Sequence, residues 1–212
     1  MFSDPIIIIA ILVAFSLGGI LKGATGAGAP IITIPVIAAF YDVRIAVIIM
    51  VIPNLLTNIG QLYQFRKTIL PKFFTLSFAL GGGVGAFLGT ILLVNLSIKI
   101  LTLSVAFIVI TYIFLKIMVP SWKLTYKKAK KLVFLMGSFG GVLQGTAGLS
   151  APISITFLNS MKLERNQFIP TISVYFGVMS IFQMPTLYYY NFLNLEIILV
   201  SCISTLVLLS FM

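Results

Sequence analysis

Gly18-Gly19-Ile20-Leu21-Lys22-Gly23-Ala24-Thr25-Gly26-Ala27-Gly28-Ala29-Pro30-Ile31 has a near-copy later in the chain, Gly140-Gly141-Val142-Leu143-Gln144-Gly145-Thr146-Ala147-Gly148-Leu149-Ser150-Ala151-Pro152-Ile153. Aligned without gaps, eight of the fourteen positions are identical, which points to internal duplication. Each block has the same plan. An apolar run enters a stretch of Gly, Ala, Thr and Ser, and a Pro then opens a second, shorter apolar run. Glycine lets the backbone turn without a side-chain penalty. Proline suits a first helical turn, where its missing N–H has no intrahelical role. The spacing therefore predicts a helix, an unwound glycine segment and a new helix starting near Pro30 and near Pro152. Ile31 to Phe40 is ten residues. At ~1.5 Å per residue such a helix reaches about halfway across a bilayer, so a broken or re-entrant element is expected.

The surroundings of these blocks are those of a membrane protein. Of 212 residues, 60% are hydrophobic and 8% charged, and the mean hydropathy is +1.17. A soluble domain carries roughly a quarter charged residues. Lipid demands that the backbone satisfy its own hydrogen bonds, which leaves helices or closed barrels. Long continuous apolar runs, rather than ~10-residue alternating segments, favour helices. Seven apolar blocks follow one another: Pro5 to Phe40, Ile45 to Phe65, Phe73 to Val94, Ile98 to Val119, Leu132 to Met161, Gln167 to Tyr190 and Leu195 to Met212. The expected fold is an all-α, polytopic integral membrane helical bundle of two repeats, each with a Gly-rich broken or re-entrant helix. The expected domains are a first membrane repeat (1–118), a basic cytoplasmic loop (119–131) and a second repeat (132–212). At the repeat offset the last block of the first half has no counterpart before Met212, so the second repeat is expected to lack its last helix. Met1-Phe2-Ser3-Asp4-Pro5 holds no basic residue and makes a poor signal-peptide start, so the first apolar run reads as a retained span.

Charge orients the chain. Lys116, Lys123, Lys127, Lys128, Lys130 and Lys131 cluster in one connection, and Arg66, Lys67 and Lys72 in another two spans away. Both are expected on the cytoplasmic side by the positive-inside rule, and most of the formal net charge of +10 is this asymmetry. Split between short connections with no domain around them, these residues do not make a nucleic-acid surface. If each glycine-broken block crosses once, the halves are parallel. If it crosses twice they are inverted, and only then do Lys162 and Arg165 fall on the cytoplasmic side.

Paired broken helices in two repeats point to a transporter binding site. A helix N-terminus offers unpaired N–H groups and about half a positive charge, which suits an anion. The candidate substrate-binding residues are Lys22, Gly23, Thr25, Gly26, Gly28, Pro30, Gln144, Gly145, Thr146, Gly148, Ser150 and Pro152. Thr25, Thr146 and Ser150 offer hydroxyls, and Lys22 is the one cation inside the first block, where the second has Gln144. The competing reading of these glycines is close helix packing, and Gly81, Gly85 and Gly89 are read that way. Asn54, Thr57, Asn58 and Gln61 share one helical face, with Ser180 and Gln183 at the matching positions of the second half. Such a stripe faces the bundle interior, either as substrate contact or as inter-helix hydrogen bonding, and Asn54, Asn58, Gln61 and Gln183 join the candidates. Pro53 and Pro185 are expected to kink their helices.

Other chemistry has little to stand on. The chain has no histidine and one cysteine, Cys202, so a metal site and an internal disulfide are not expected, nor is a cofactor. Asp4, Asp42, Glu164 and Glu196 lie near expected span ends, so no carboxylate relay crosses the membrane. Coupling to an ion would need backbone carbonyls or hydroxyls, and a uniport or channel is equally compatible. Tyr188, Tyr189, Tyr190 and Trp122 fit an interfacial belt. No catalytic residue is assigned. An intramembrane enzyme would have only Ser150 with Lys22 as a dyad, and a non-transporting assembly subunit is the other alternative.

Gly26-Ala27-Gly28-Ala29-Pro30-Ile31-Ile32-Thr33-Ile34-Pro35 resembles the glycine-rich, Pro-ended signature opening each half of the sulfite exporter TauE/SafE family. Gly145 to Pro152, followed by Lys162-Leu163-Glu164-Arg165-Asn166-Gln167-Phe168, resembles the second-half signature and its short basic loop. The resemblance implies a multi-pass permease of a bacterial inner membrane for a small anion such as sulfite, a sulfonate or a carboxylate. Its implied partners are that anion and the lipid bilayer. It leaves the choice of anion, the direction of transport and the oligomeric state open. Ala29 and Pro30 stand where family members often carry further glycines, which stiffens this loop.

Overall fold

The computed structural model describes residues 4–118 and 123–212. The Met1 to Ser3 part of the N-terminal reading, and Trp122, lie outside them. Helices carry the described chain: α1 (Pro5–Thr25), α2 (Ala29–Phe40), α3 (Val43–Phe65), a 3-10 turn (Arg66–Thr68), α4 (Lys72–Asn95), α5 (Ile98–Met118), α6 (Tyr126–Ala147), α7 (Ala151–Ser160), α8 (Arg165–Tyr189) and α9 (Leu195–Ser210), with no strand among the described residues. Four segments, Pro5–Thr25, Val43–Thr68, Lys72–Asn95 and Arg165–Tyr189, are long and apolar enough to cross a membrane. The outward faces are apolar, as lipid contact requires: Phe107, Ile110, Leu206 and Phe73 are all more than half exposed.

The long block Pro5 to Phe40 divides into α1 and α2, and Leu132 to Met161 falls within α6 and α7. Both divisions have the same cause. Gly26 (φ 82) and Gly148 (φ 70) adopt the left-handed conformation, and their N–H groups donate to Lys22 O at 2.7 Å and Gln144 O at 2.8 Å. This satisfies a terminal carbonyl and ends the helix. Pro30 and Pro152 then sit in the first turns of α2 and α7. In the first turns Ile31 N donates to Gly28 O and Ile153 N to Ser150 O, both at 3.0 Å, which closes each turn on its own cap. α3 and α8 are assigned as helix straight through Pro53 and Pro185. One boundary differs from expectation. α6 begins at Tyr126, so Lys127, Lys128, Lys130 and Lys131 ride on its first turns instead of in a connecting loop. Lysine is a good helix former whose stem covers apolar surface while its amine stays in water.

The carboxylates lie at helix starts. Asp4 Oδ1 accepts from Ile6 N at 2.9 Å and Asp42 Oδ1 from Ile45 N at 2.8 Å, while Glu164 precedes α8 and Glu196 lies in the first turn of α9. Each favours the positive end of a helix dipole.

α4 packs against α6 and α8, α9 against α1 and α3, and α3 against α8. The α4–α6 contact is made of glycine. A Cβ at Gly81, Gly85 or Gly89 would overlap the α6 carbonyls of Phe134, Ser138 and Val142. A Cβ at Gly137, Gly141 or Gly145 would meet those of Phe78, Gly82 and Ala86. Two four-residue glycine rows thus bring the backbones together, as expected for Gly81, Gly85 and Gly89. Tyr175 from α8 closes the same layer, stacked on Phe78 at 4.0 Å, its hydroxyl donating to Gly137 O at 3.0 Å.

Two opposite ends of the bundle are marked by charge. Leu124 N donates to Ser160 O at 2.8 Å, and Thr68 Oγ1 donates to Asn166 O. These bonds gather Arg66, Lys67, Lys72, Lys123, the α6 lysines, Lys162 and Arg165 at one end. At the other end, burial and the nearby Asp4 and Glu196 carboxylates push the Tyr41 phenol above its ordinary range. There Arg44 Nε and Nη2 donate to Leu93 O at 3.1 Å and Leu96 O at 2.8 Å, closing the α4 C-terminus.

Candidate functional site

The polar stripe of α3 meets α1 and α8 in one buried network. Lys22 is 1% exposed, and its Nζ donates to Asn58 Oδ1 at 3.0 Å. Asn58 Nδ2 donates to Asn54 Oδ1 at 2.9 Å, and Asn54 Nδ2 donates to Ser180 Oγ at 3.3 Å. Gln61 Nε2 reaches Lys22 O at 3.5 Å, and Ser173 Oγ donates to Gln61 Oε1 at 3.3 Å. The Phe176 ring lies 5.9 Å from the lysine amine. The lysine's partners here are an amide and a ring, with no carboxylate beside it. A buried ionisable group is normally paired with an opposite charge.

Between the two helix breaks lies a small cavity of about 10 Å³, room for about one water, lined by Gly28, Pro30, Gln144, Gly148, Ser150 and Phe176 among others. α2 and α7 both start at its wall. Ser150 Oγ lies 3.0 Å from Ser154 Oγ. Gln144 Oε1 is buried with no hydrogen-bond partner, as are both amide atoms of Gln183 and the hydroxyl of Thr186. Buried polar atoms without partners are rare and expensive. A small polar guest or water would satisfy Gln144.

The family model of the sulfite exporter TauE/SafE family matches residues 10–212, nearly the whole chain. The chain belongs to this family. TauE/SafE proteins are membrane transporters of sulfite-type anions, which makes this chain a multi-pass transport protein. No curated protein and no solved structure matches it.

In this TauE/SafE chain the candidate residues fall into three groups. Gly28, Pro30, Gln144, Gly148 and Ser150 line the cavity. Lys22, Asn54, Asn58 and Gln61 form the network behind Phe176, and Gln183 lies buried on the same helix as Ser173 and Ser180. The others face elsewhere. Gly23 lies against the Met212 carbonyl and accepts Arg165 Nη2 at 2.9 Å, and Gly26 lies against Ile169. Gly145 packs on Ala86 and Thr90, and Thr146 Oγ1 donates to Gly89 O at 3.3 Å. Thr25 is exposed, and Pro152 lines an apolar groove against α5. Phe176 and Ser173 were not among the candidates. The spacing of Ser173, Phe176, Ser180 and Gln183 along one face of α8 was the available signal.

Lys22 and Ser150, the one conceivable catalytic pair, each have another partner: Asn58 for the amine and Ser154 for the hydroxyl.

Proposed function

We propose that this protein is a permease for a small inorganic or organic anion such as sulfite, a sulfonate or a carboxylate. The anion binds between the breaks after α1 and α6, where the small cavity widens to admit it, and the Lys22 amine supplies the positive charge behind Phe176. The carrying observation is the cavity itself, walled by Gly28 and Pro30 from one break and by Gly148 and Ser150 from the other. Two helix starts at one small space stabilise negative charge through their dipoles.

The same proposal covers the architecture. The chain is two repeats, each opened by a glycine-broken pair, α1–α2 or α6–α7, that forms a re-entrant hairpin. The halves are inverted. What supports this is that α1 starts at the Asp4 end while α6 starts at the lysine end, and that Ser160 returns to Leu124. Inverted repeats give a site near mid-membrane with two related access routes. The lysine end faces the cytoplasm of a bacterial inner membrane by the positive-inside rule.

Purified protein in proteoliposomes, offered sulfite, sulfoacetate, lactate and chloride in turn, tests the proposal. Saturable uptake of one of them, lost in Gly148→Leu protein that still inserts, is the expected result. Absence of flux for all four from folded protein would remove it.

A further inference from the structure

A second, larger opening adjoins the cavity and has no role in the site as described. It is a cleft of about 530 Å³, whose walls include Thr25, Gly28, Ile31, Ile155, Asn159 and Arg165. Gly28, Ile31 and Ile155 line both spaces. The two are therefore neighbours, and the side chains of Ile31 and Ile155 stand where they meet. The cleft lies at the lysine end, because Asn159 and Arg165 flank the α7–α8 connection that bonds Leu124 and is joined to Thr68 through Asn166. Arg165 is exposed there, with one Nη held by the Gly23 carbonyl at 2.9 Å. A guanidinium has five donors, so four remain for water or a ligand.

The matching residues at the end of α6 are packed, and the groove beside that break, lined by Leu149, Ala151 and Pro152, is apolar and bears no cation among the described residues. Thr25 is exposed at the end of α1, whereas Thr146 and Ala147 are buried at the end of α6, where Thr146 bonds Gly89 of α4. One end is open and its counterpart packed.

We propose that this cleft is the access vestibule of the transporter, open to the lysine-bearing face. In it Arg165 is the first fixed cation an anion meets, and Ile31 with Ile155 forms the apolar constriction before the site. This rests on the anion-permease reading. Positive charge at a cleft mouth raises local anion concentration and the rate of capture, and an apolar constriction gates small ions by excluding water.

Single cysteines in a Cys202→Ser background test the geometry, with a membrane-impermeant anionic thiosulfonate as probe. Lys128→Cys reports the lysine end, and Lys99→Cys the opposite one, since Lys99 is exposed in the first turn of α5 beside the α4 C-terminus that Arg44 closes. Thr25→Cys and Asn159→Cys are expected to label from the Lys128 side alone, and Ile155→Cys more slowly and less so with saturating sulfoacetate. Labelling from the Lys99 side, or none at Thr25 and Asn159, overturns the vestibule. For Arg165, uptake kinetics give the second readout. Loss of one charged hydrogen bond raises KM about tenfold or more in Arg165→Gln, with kcat changed far less and KM largely restored in Arg165→Lys. An unchanged KM in Arg165→Gln overturns its role. Wild-type protein that moves no anion would end the permease reading instead, and the labelling pattern would still decide where the cleft opens.

Discussion

Replacing Lys22 with methionine separates the cost of a buried amine from its use. Methionine keeps the length and fills the same space. The substitution removes the 3.0 Å bond to Asn58 and leaves the amide oxygen of a residue 1% exposed without that donor. An orphaned buried acceptor costs about 1–3 kcal/mol. Against this, a lysine costs about 2.5–3.5 kcal/mol at the centre of a membrane helix and less at Lys22, in the last turn of α1. The two effects oppose one another and are close in size, so folding stability is expected to change by no more than about 1 kcal/mol in either direction. For a chain of this length that is a shift of about 2–4 °C in Tm. Transport behaves differently. A charge-assisted contact to the anion is worth about 1.5–3 kcal/mol, so KM rises tenfold or more. Thermal unfolding in detergent and initial uptake rates in proteoliposomes measure both. Lys22→Gln is the companion variant, since it gives the first half the residue that the second half carries as Gln144. A wild-type KM in either variant would refute the assignment of Lys22 to the anion. A large loss of stability with methionine would show instead that the amine holds the bundle together.

Other positions give sharper separations between packing and transport. Gly85→Leu places a side chain against the Ser138 carbonyl, which cannot yield, so folded protein should be lost from the membrane, as measured by monodisperse yield in detergent. Gly148→Leu meets the movable tip of Ile34 and strains a φ of 70, so insertion should persist while uptake disappears. Gly26→Ala should lower stability by about 1–2 kcal/mol through left-handed strain alone, before its contact with Ile169 is counted; an unchanged melting curve would contradict the cap assignment. Tyr175→Phe removes the bond to Gly137 and should cost about 0.5–1.5 kcal/mol while leaving uptake kinetics intact.

Much of the architecture was legible because a bilayer leaves so few options. Long apolar runs fixed the helices, and Gly26 and Gly148 marked the breaks because few other residues enter the left-handed region without strain. The polar face of α3 could be read from spacing, but its alternatives could not be separated. Substrate contact and inter-helix bonding demand the same orientation, and it takes tertiary bonds such as Asn58–Lys22, Asn54–Ser180 and Gln61–Ser173 to say which helices that face meets. Gly145 and Thr146 show the opposite failure. They sit inside the motif, yet they turn toward α4, because a helix carries successive residues to different faces.

Composition and the paired glycine blocks by themselves determined an all-helical membrane chain with two breaks, since local backbone freedom and burial of apolar surface depend on residues near one another in sequence. Tertiary structure alone decided that the two breaks share a cavity, that Lys22 lies beside Phe176, and that Thr25 is open while Thr146 is covered. Those outcomes depend on how α1, α3, α6 and α8 pack across more than a hundred residues of chain, and helical period carries no record of which neighbour a face will meet.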